Sequence, residues 1–302
     1  MSAVIQVNNL CKDFHDIKAV DDLSFTVPEG EVYGFLGQNG AGKSTTIRMM
    51  LTLIHPDAGT ITIFGMDLQK HRKEILKQIG AIIERPDLYK YLDALENLRI
   101  FSAMSGVKIP EKKILDQLAM VGLADRAKSK IKTYSQGMKQ RLGIAIALVH
   151  DPKLIILDEP MNGLDPQGIA DVRNLILHCT RDLGKTLFVS SHLLNEMELI
   201  ADSMLIINKG KKVAEGTKEE LLNPLKTQVE LITTDKQGSL EILKQTIWGQ
   251  FLLSNMNGHI LLEIDKLRIP ELNRTLVEKG IQVISIRPKH SLEDFFLSLT
   301  RQ

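Results

Sequence analysis

The first clear periodicity is a strand pattern. Leu23, Phe25 and Val27 alternate with polar residues, and Pro28-Glu29-Gly30 then forces a turn. Val32 to Leu36 is a short, mostly apolar run that ends in a glycine-rich loop, and a helical pattern starts near Lys43. Gly59 to Phe64 is rich in β-formers and stops at Gly65. Between about residues 70 and 200 strand and helix patterns alternate. Ile79–Ile83, Lys153–Leu157 and Thr186–Ser190 are predicted as strands, and Ala94–Met104, Glu111–Val121 and Met138–Val149 as helices. That alternation predicts an α/β domain whose sheet contains parallel strands joined by right-handed crossovers.

The pattern changes at Leu222-Asn223-Pro224, which is predicted to be a linker between domains spanning 1–222 and 223–302. Beyond it, Thr227–Ile232, Phe251–Ser254, His259–Ile264 and Gln282–Ile286 are strand-like, and Leu240–Thr246 and Glu271–Lys279 are helical. The order β-α-β-β-α-β predicts a small α+β domain of ferredoxin-like arrangement. A last helix is expected over Ser291–Leu299. The chain has no internal repeat.

Composition narrows the function classes. Of 302 residues, 43% are apolar and 25% charged, which excludes collagen-like and low-complexity chains. Basic and acidic residues number 38 and 37, so no overall field draws the chain to nucleic acid, and no nucleic-acid partner is expected. Cys11 and Cys179 stand far apart without neighbouring metal ligands and are expected to be ordinary reduced thiols. No stretch reaches the roughly eighteen apolar residues of a membrane-spanning helix. The start, Met1 to Cys11, lacks the basic and apolar regions of a secretory signal. A cytoplasmic chain is expected, serving any membrane process from outside the bilayer through a partner.

Two segments carry the chemistry. Gly37-Gln38-Asn39-Gly40-Ala41-Gly42-Lys43-Ser44 fits G-x-x-x-x-G-K-[ST] between a predicted strand and a predicted helix, with Thr45 continuing into the helix. Glycines there admit backbone angles that a Cβ would block, so loop amides can surround phosphate oxygens. Lys43 can set its ammonium on the β- and γ-phosphates, and the Ser44 hydroxyl can ligate Mg²⁺. Leu154-Ile155-Ile156-Leu157-Asp158-Glu159 delivers two carboxylates at the C-terminal end of a strand, where α/β sheets bind ligands. Asp158 is placed to hold Mg²⁺, and Glu159 to orient and polarise the attacking water.

A third element narrows nucleotide binding to one family. Tyr134-Ser135-Gln136-Gly137-Met138 resembles the signature peptide of ATP-binding cassette (ABC) ATPases. The chain continues in that family's order. Pro160 is followed by Asn162-Gly163-Leu164-Asp165, similar to the D-loop, and Ser190-Ser191-His192 ends a strand with a residue that resembles the switch histidine. Phe14 resembles the aromatic that stacks on adenine, and stacking is the expectation here, although a lone phenylalanine is more often core. The resemblance spans about residues 4–216. It implies a P-loop NTPase nucleotide-binding domain with an antiparallel β subdomain and a helical subdomain, and ATP and Mg²⁺ as cofactors. It also implies a head-to-tail dimer with a second copy, in which Ser135 and Gly137 contact the γ-phosphate bound by the other subunit, and Asp165 of the D-loop as a further nucleotide-binding residue. His192 would hold the γ-phosphate and Glu159 in one geometry.

Two departures stand out. The usual signature is Leu-Ser-Gly-Gly-Gln, of which Ser135 and Gly137 remain. Where the family usually has glutamine after the strand ending at Ile83, this chain has Glu84. A carboxylate only accepts when ionised and suits a site next to Mg²⁺. Pointing to solvent is the other reading of Glu84. The substitution resembles the bacitracin-resistance and lantibiotic-immunity branch of ABC exporters, and Ser291-Leu292-Glu293-Asp294-Phe295-Phe296 resembles the end of related drug-exporter ATPases. In that branch the permease is a separate chain, contacted by the zone after Tyr89 that includes Glu96-Asn97-Leu98. The implied function is ATP hydrolysis that drives export of a peptide antibiotic or other amphipathic drug from the cytoplasmic face of the membrane. The alternatives are an importer ATPase with a ligand-sensing C-terminal domain and a non-transport ABC ATPase.

Overall fold

Two sheets of different construction follow from two kinds of strand. Ala3–Phe14 and Ile17–Pro28 form a long antiparallel hairpin in which buried residues such as Val7, Leu10, Leu23, Phe25 and Val27 alternate with exposed or half-buried ones. Ala58–Ile63 pairs with the other side of Ala3–Phe14, and Met66–Asp67 completes a four-stranded antiparallel sheet. One buried and one wetter face is what such alternation dictates. Val32–Leu36, Leu154–Asp158 and Thr186–Ser191 are instead buried at every position. Continuous apolar runs of this kind suit a sheet covered on both faces.

Those strands lie in a six-stranded sheet with the order Lys211–Thr217, Ser203–Asn208, Val32–Leu36, Thr186–Ser191, Leu154–Asp158, Ile79–Ile82. All neighbours pair in parallel except Lys211–Thr217. The two sheets share one core. Phe25 of the antiparallel sheet stacks on Tyr33, Phe35 and Phe188 of the parallel one, with ring centroids 5.8 to 6.1 Å apart. The helix Lys43–Met50 contributes Ile47, Met49 and Met50 to that core. Tyr33 donates its hydroxyl to Glu215 at 2.8 Å. Burial above all, with the Glu215 charge, pushes its pKa far above the ordinary value.

The helical part is set by local capping. Ala94–Met104 starts at Asp93, whose carboxylate accepts from Glu96 N–H while Glu96 accepts from Asp93 N–H, a reciprocal capping box. Buried Asn97 on the same helix accepts from Tyr89 N–H and donates to the carbonyls of Tyr89 and Asp93, pinning the segment before the helix. Glu111–Met120 and Gln136–Ala147 follow, near their predicted spans. Pro166–Arg181, Leu194–Ile200, Ser203–Asn208 and Lys211–Thr217 are elements that periodicity did not predict. The first carried a local start signal, Asp165 as cap with Pro166 in the first turn. The short apolar run Ser203–Asn208 carried none.

The structure is a computed structural model that describes residues 2–222, 227–253 and 259–289. The chain divides into two units, Met1–Lys218 and Glu219–Gln302. Among the described residues no helix is long and apolar enough to cross a membrane.

In the second unit Thr227–Thr233 is the central strand of a three-stranded antiparallel sheet, flanked by Ile260–Ile264 and Val283–Lys289. Helices Lys236–Lys244 and Ile269–Glu278 contribute Leu243, Leu272 and Leu276 to a core around buried Trp248. The expected strand Phe251–Ser254 needs correction. Ile247–Phe251 is a 3₁₀ turn capped by Thr246, Leu252 makes a single bridge to Leu262, and Ser254 lies outside the described residues. Burying Trp248, with its indole N–H on Thr275 Oγ1 at 3.0 Å, decides that turn over a strand. The predicted linker residues Asn223 and Pro224 and the predicted helix Ser291–Leu299 lie outside the described residues.

Candidate active site

The loop Gly37–Gly42 connects Val32–Leu36 to the helix Lys43–Met50 at the C-terminal edge of the parallel sheet. Gly42 caps that helix at φ +107, and a Cβ there would sit 2.4 Å from the Ala19 carbonyl oxygen. A Cβ on Gly37 would lie 2.7 Å from the Ile207 carbonyl oxygen. Both positions thus exclude side chains by close approach of neighbouring backbone. No side chain caps the helix, so its first amides remain available to an anion. Gln38, Asn39 and Gly40 are exposed, Ala41 is buried, and Ser44 and Thr45 are half-buried.

Lys43 is buried and points its ammonium back across the loop. Nζ donates to the carbonyls of Gly37 at 2.7 Å and Gln38 at 3.2 Å. It also lies 3.0 Å from Glu159 Oε1, an ion contact. The other carboxylate oxygen, Oε2, is 2.7 Å from His192 Nδ1 and accepts from His192 N–H at 3.4 Å. Lys43, Glu159 and His192 therefore form one cluster, drawn from the phosphate loop and from the ends of two adjacent parallel strands.

Asp158 ends its strand completely buried. Its Oδ1 receives the Ser190 hydroxyl at 2.5 Å, and its Oδ2 has no hydrogen-bond partner. A buried carboxylate oxygen without a donor is costly unless a cation meets it. That is the fit expected for Mg²⁺, which takes one or two carboxylates and fills its shell with water and phosphate oxygens. Among the described residues no group of three or more His, Cys, Asp or Glu could hold a metal by itself. The donor set therefore suits a cation shared with a phosphate ligand.

Ser135 and Asp165 stand apart from this cluster. Ser135 is exposed and caps Gln136–Ala147 by accepting from Met138 N–H. Just before it, Tyr134 is buried with its hydroxyl on the Arg126 carbonyl. Burial is the main cause that raises its pKa, opposed by Arg126. Exposed Asp165 caps Pro166–Arg181 through Gly168 N–H. A Cβ on Gly137 would lie 3.6 Å from Gly168 Cα, so the two helix starts run side by side.

Phe14 and Glu84 had two readings each. Phe14 is 45% exposed at the tip of the first hairpin, with Lys12 Nζ 5.4 Å from its ring centroid, so it is not core. Glu84 sits at φ +59 with an exposed side chain paired to Arg48 Nη2 at 2.6 Å. It faces solvent and is not brought to Asp158 or Ser44. Arg48 and Ser190 are contacts that the motifs did not announce. Ser190 belongs to a recognised triplet, but its partners became visible only with the strand register.

Comparison with known proteins agrees with this geometry. A family profile described as ABC transporter matches residues 20–162. YhcH, an uncharacterised ABC transporter ATP-binding protein of Bacillus subtilis (strain 168), is 42% identical, over 99% of this chain and 97% of its own. The bacitracin transport ATP-binding protein BcrA of Bacillus licheniformis is 41% identical, over 99% of this chain and 98% of its own. A solved structure of the ATP binding subunit of an ABC transporter matches with TM-score 0.64 and 32% identity, covering 72% of this chain and 91% of that one. A P-loop NTPase fold, a nucleotide site and end-to-end likeness lead to one assignment: the chain belongs to the ABC transporter ATP-binding proteins, the subunits that bind and hydrolyse ATP to power transport.

Proposed function

We propose that this chain powers a two-component exporter of a peptide antibiotic or similar amphipathic drug, at the cytoplasmic face of the membrane. It would act as a head-to-tail dimer with a second copy, docked on a separate permease. The observation that carries the export reading is the likeness to the bacitracin transport ATP-binding protein, which covers 99% of this chain and so includes both of its units.

The geometry supports the following roles. Gly37, Gln38, Asn39, Gly40, Ala41, Gly42 and Thr45 would surround the phosphates, with Lys43 on their charge. Ser44 and Asp158 would hold Mg²⁺, which supplies charge neutralisation at the phosphate oxygens when bound. Glu159 would take the proton of the attacking water, oriented by His192 at 2.7 Å. Phe14, exposed at its hairpin tip, would stack on adenine. Exposed Ser135 and Asp165, with Gly137, would meet the nucleotide held by the other copy, where a helix start favours negative charge. Glu84 would approach the cation only by leaving Arg48.

The test is resistance. The chain is expressed with a candidate permease in a bacitracin-sensitive bacterium, as wild type and as Glu159→Gln. Raised resistance with wild type alone supports ATP-driven export. Unchanged sensitivity in cells whose wild-type chain hydrolyses ATP would overturn the antibiotic-export reading.

A further inference from the structure

The parallel register places Ser190 beside Asp158, and both are fully buried. Ser190 Oγ lies 2.5 Å from Asp158 Oδ1 and 2.9 Å from the backbone nitrogen of Glu159. An amide N–H can only donate, and an ionised carboxylate can only accept. The hydroxyl therefore accepts from the Glu159 N–H and donates its hydrogen bond to Asp158 Oδ1. One oxygen atom ties together the residue suited to the cation and the residue suited to the water.

Two consequences follow. Holding Oδ1 fixes the rotation of the Asp158 carboxylate, so the partnerless Oδ2 is the oxygen left for a cation. Holding the Glu159 amide secures a backbone at φ +51, the left-handed region that residues with a Cβ seldom occupy. From that conformation the Glu159 carboxylate reaches His192 at 2.7 Å and Lys43 at 3.0 Å. An alanine at 190 would leave the buried Asp158 acceptor and the part-buried Glu159 N–H without this partner at once.

We propose that Ser190 is a positioning residue for ATP hydrolysis, whose hydroxyl aligns the cation-facing oxygen of Asp158 with the water-activating carboxylate of Glu159. The inference rests on the roles given above to Asp158 and Glu159.

The experiment compares Ser190→Ala and Ser190→Thr with wild type in the 302-residue chain, with Asp158→Asn as a reference. Three quantities are read: kcat at saturating ATP, the Mg²⁺ concentration for half-maximal activity, and ADP affinity in EDTA by calorimetry. Supporting groups of this kind typically change metal affinity or activity about 10- to 100-fold. Ser190→Ala should lower kcat and raise the Mg²⁺ requirement by such a factor, with ADP affinity in EDTA unchanged. Ser190→Thr keeps the hydroxyl and should recover most of both. Wild-type kcat and Mg²⁺ requirement in Ser190→Ala, while Asp158→Asn shifts them, would overturn the proposal. So would a parallel loss of metal-free ADP affinity, which would place the effect in the phosphate loop. An unchanged Mg²⁺ requirement in Asp158→Asn would show that the assignment of Asp158 itself is wrong, and the proposal falls with it.

Discussion

Lys43 Nζ lies 3.0 Å from Glu159 Oε1, so the ammonium suited to phosphate and the carboxylate suited to water are in direct contact. A phosphate oxygen placed on Lys43 would therefore compete with Glu159 for one charge. With the roles proposed above, nucleotide binding and release of the base would be coupled through that competition, while His192 would keep hold of the second carboxylate oxygen.

Lys43→Ala should weaken ATP binding about 10- to 100-fold, the scale of one or two lost charge-assisted hydrogen bonds. Titration with a fluorescent ATP analogue reads this directly. Affinity equal to wild type would contradict the placement of the ammonium on the phosphates.

Glu159→Gln should reduce turnover at least about 100-fold, the usual contribution of a positioned general base. ATP binding should persist, because the loop Gly37–Gly42 is untouched. Phosphate release measured beside nucleotide affinity separates the two effects, and a variant with full turnover would remove Glu159 from the chemistry. The same variant with ATP should elute as a dimer from a sizing column if two copies close on the nucleotide.

Glu84→Gln removes the charge that meets Arg48 at 2.6 Å. Glu84 is exposed and Arg48 is partly so, and the stability change should stay under about 1 kcal/mol in thermal unfolding. Nucleotide affinity should hold while permease-stimulated hydrolysis changes. Unchanged hydrolysis and transport would deny Glu84 a part in coupling.

The cap on Ala94–Met104 should weaken in acid. The Glu96 carboxyl is held below its ordinary 4.5 chiefly by the Asp93 N–H, with Lys130 and Arg99 adding to it and desolvation opposing. A carboxylate depressed in the folded state stabilises it above the unfolded value, and that contribution is lost as pH falls through the folded one. Glu96→Gln can still cap but cannot titrate. The stability gap between wild type and Glu96→Gln, read from thermal midpoints, should therefore be largest above pH 4.5 and shrink below it. A gap that stays constant with pH would show that the ionised form is not what caps the helix.

Much of the site was legible in the chain because its chemistry is carried by consecutive residues. The spacing from Gly37 to Ser44 encodes a loop that only glycines can make beside the Ala19 and Ile207 carbonyls. The run Leu154–Asp158 encodes a buried strand with a carboxylate at its end. Asp93 and Glu96 encode a helix start, and Ala94–Met104 lies where the pattern put it. Sterics, periodicity and capping act over a few residues, so they leave a local mark.

Contacts between distant segments leave none. That the Ser190 hydroxyl bridges Asp158 and Glu159 depends on the register of two parallel strands, which the packed sheet decides. That Glu84 meets Arg48 depends on where a left-handed residue turns the chain after Ile79–Ile82. Phe251–Ser254 looked like a strand because a short apolar run satisfies several patterns. The core around Trp248 selected a turn instead. The sequence determined the phosphate loop, the acidic strand end and the family through short-range chemistry. Only the tertiary structure decided which side chains share a proton or a charge, because those pairings are set by the closure of the whole core.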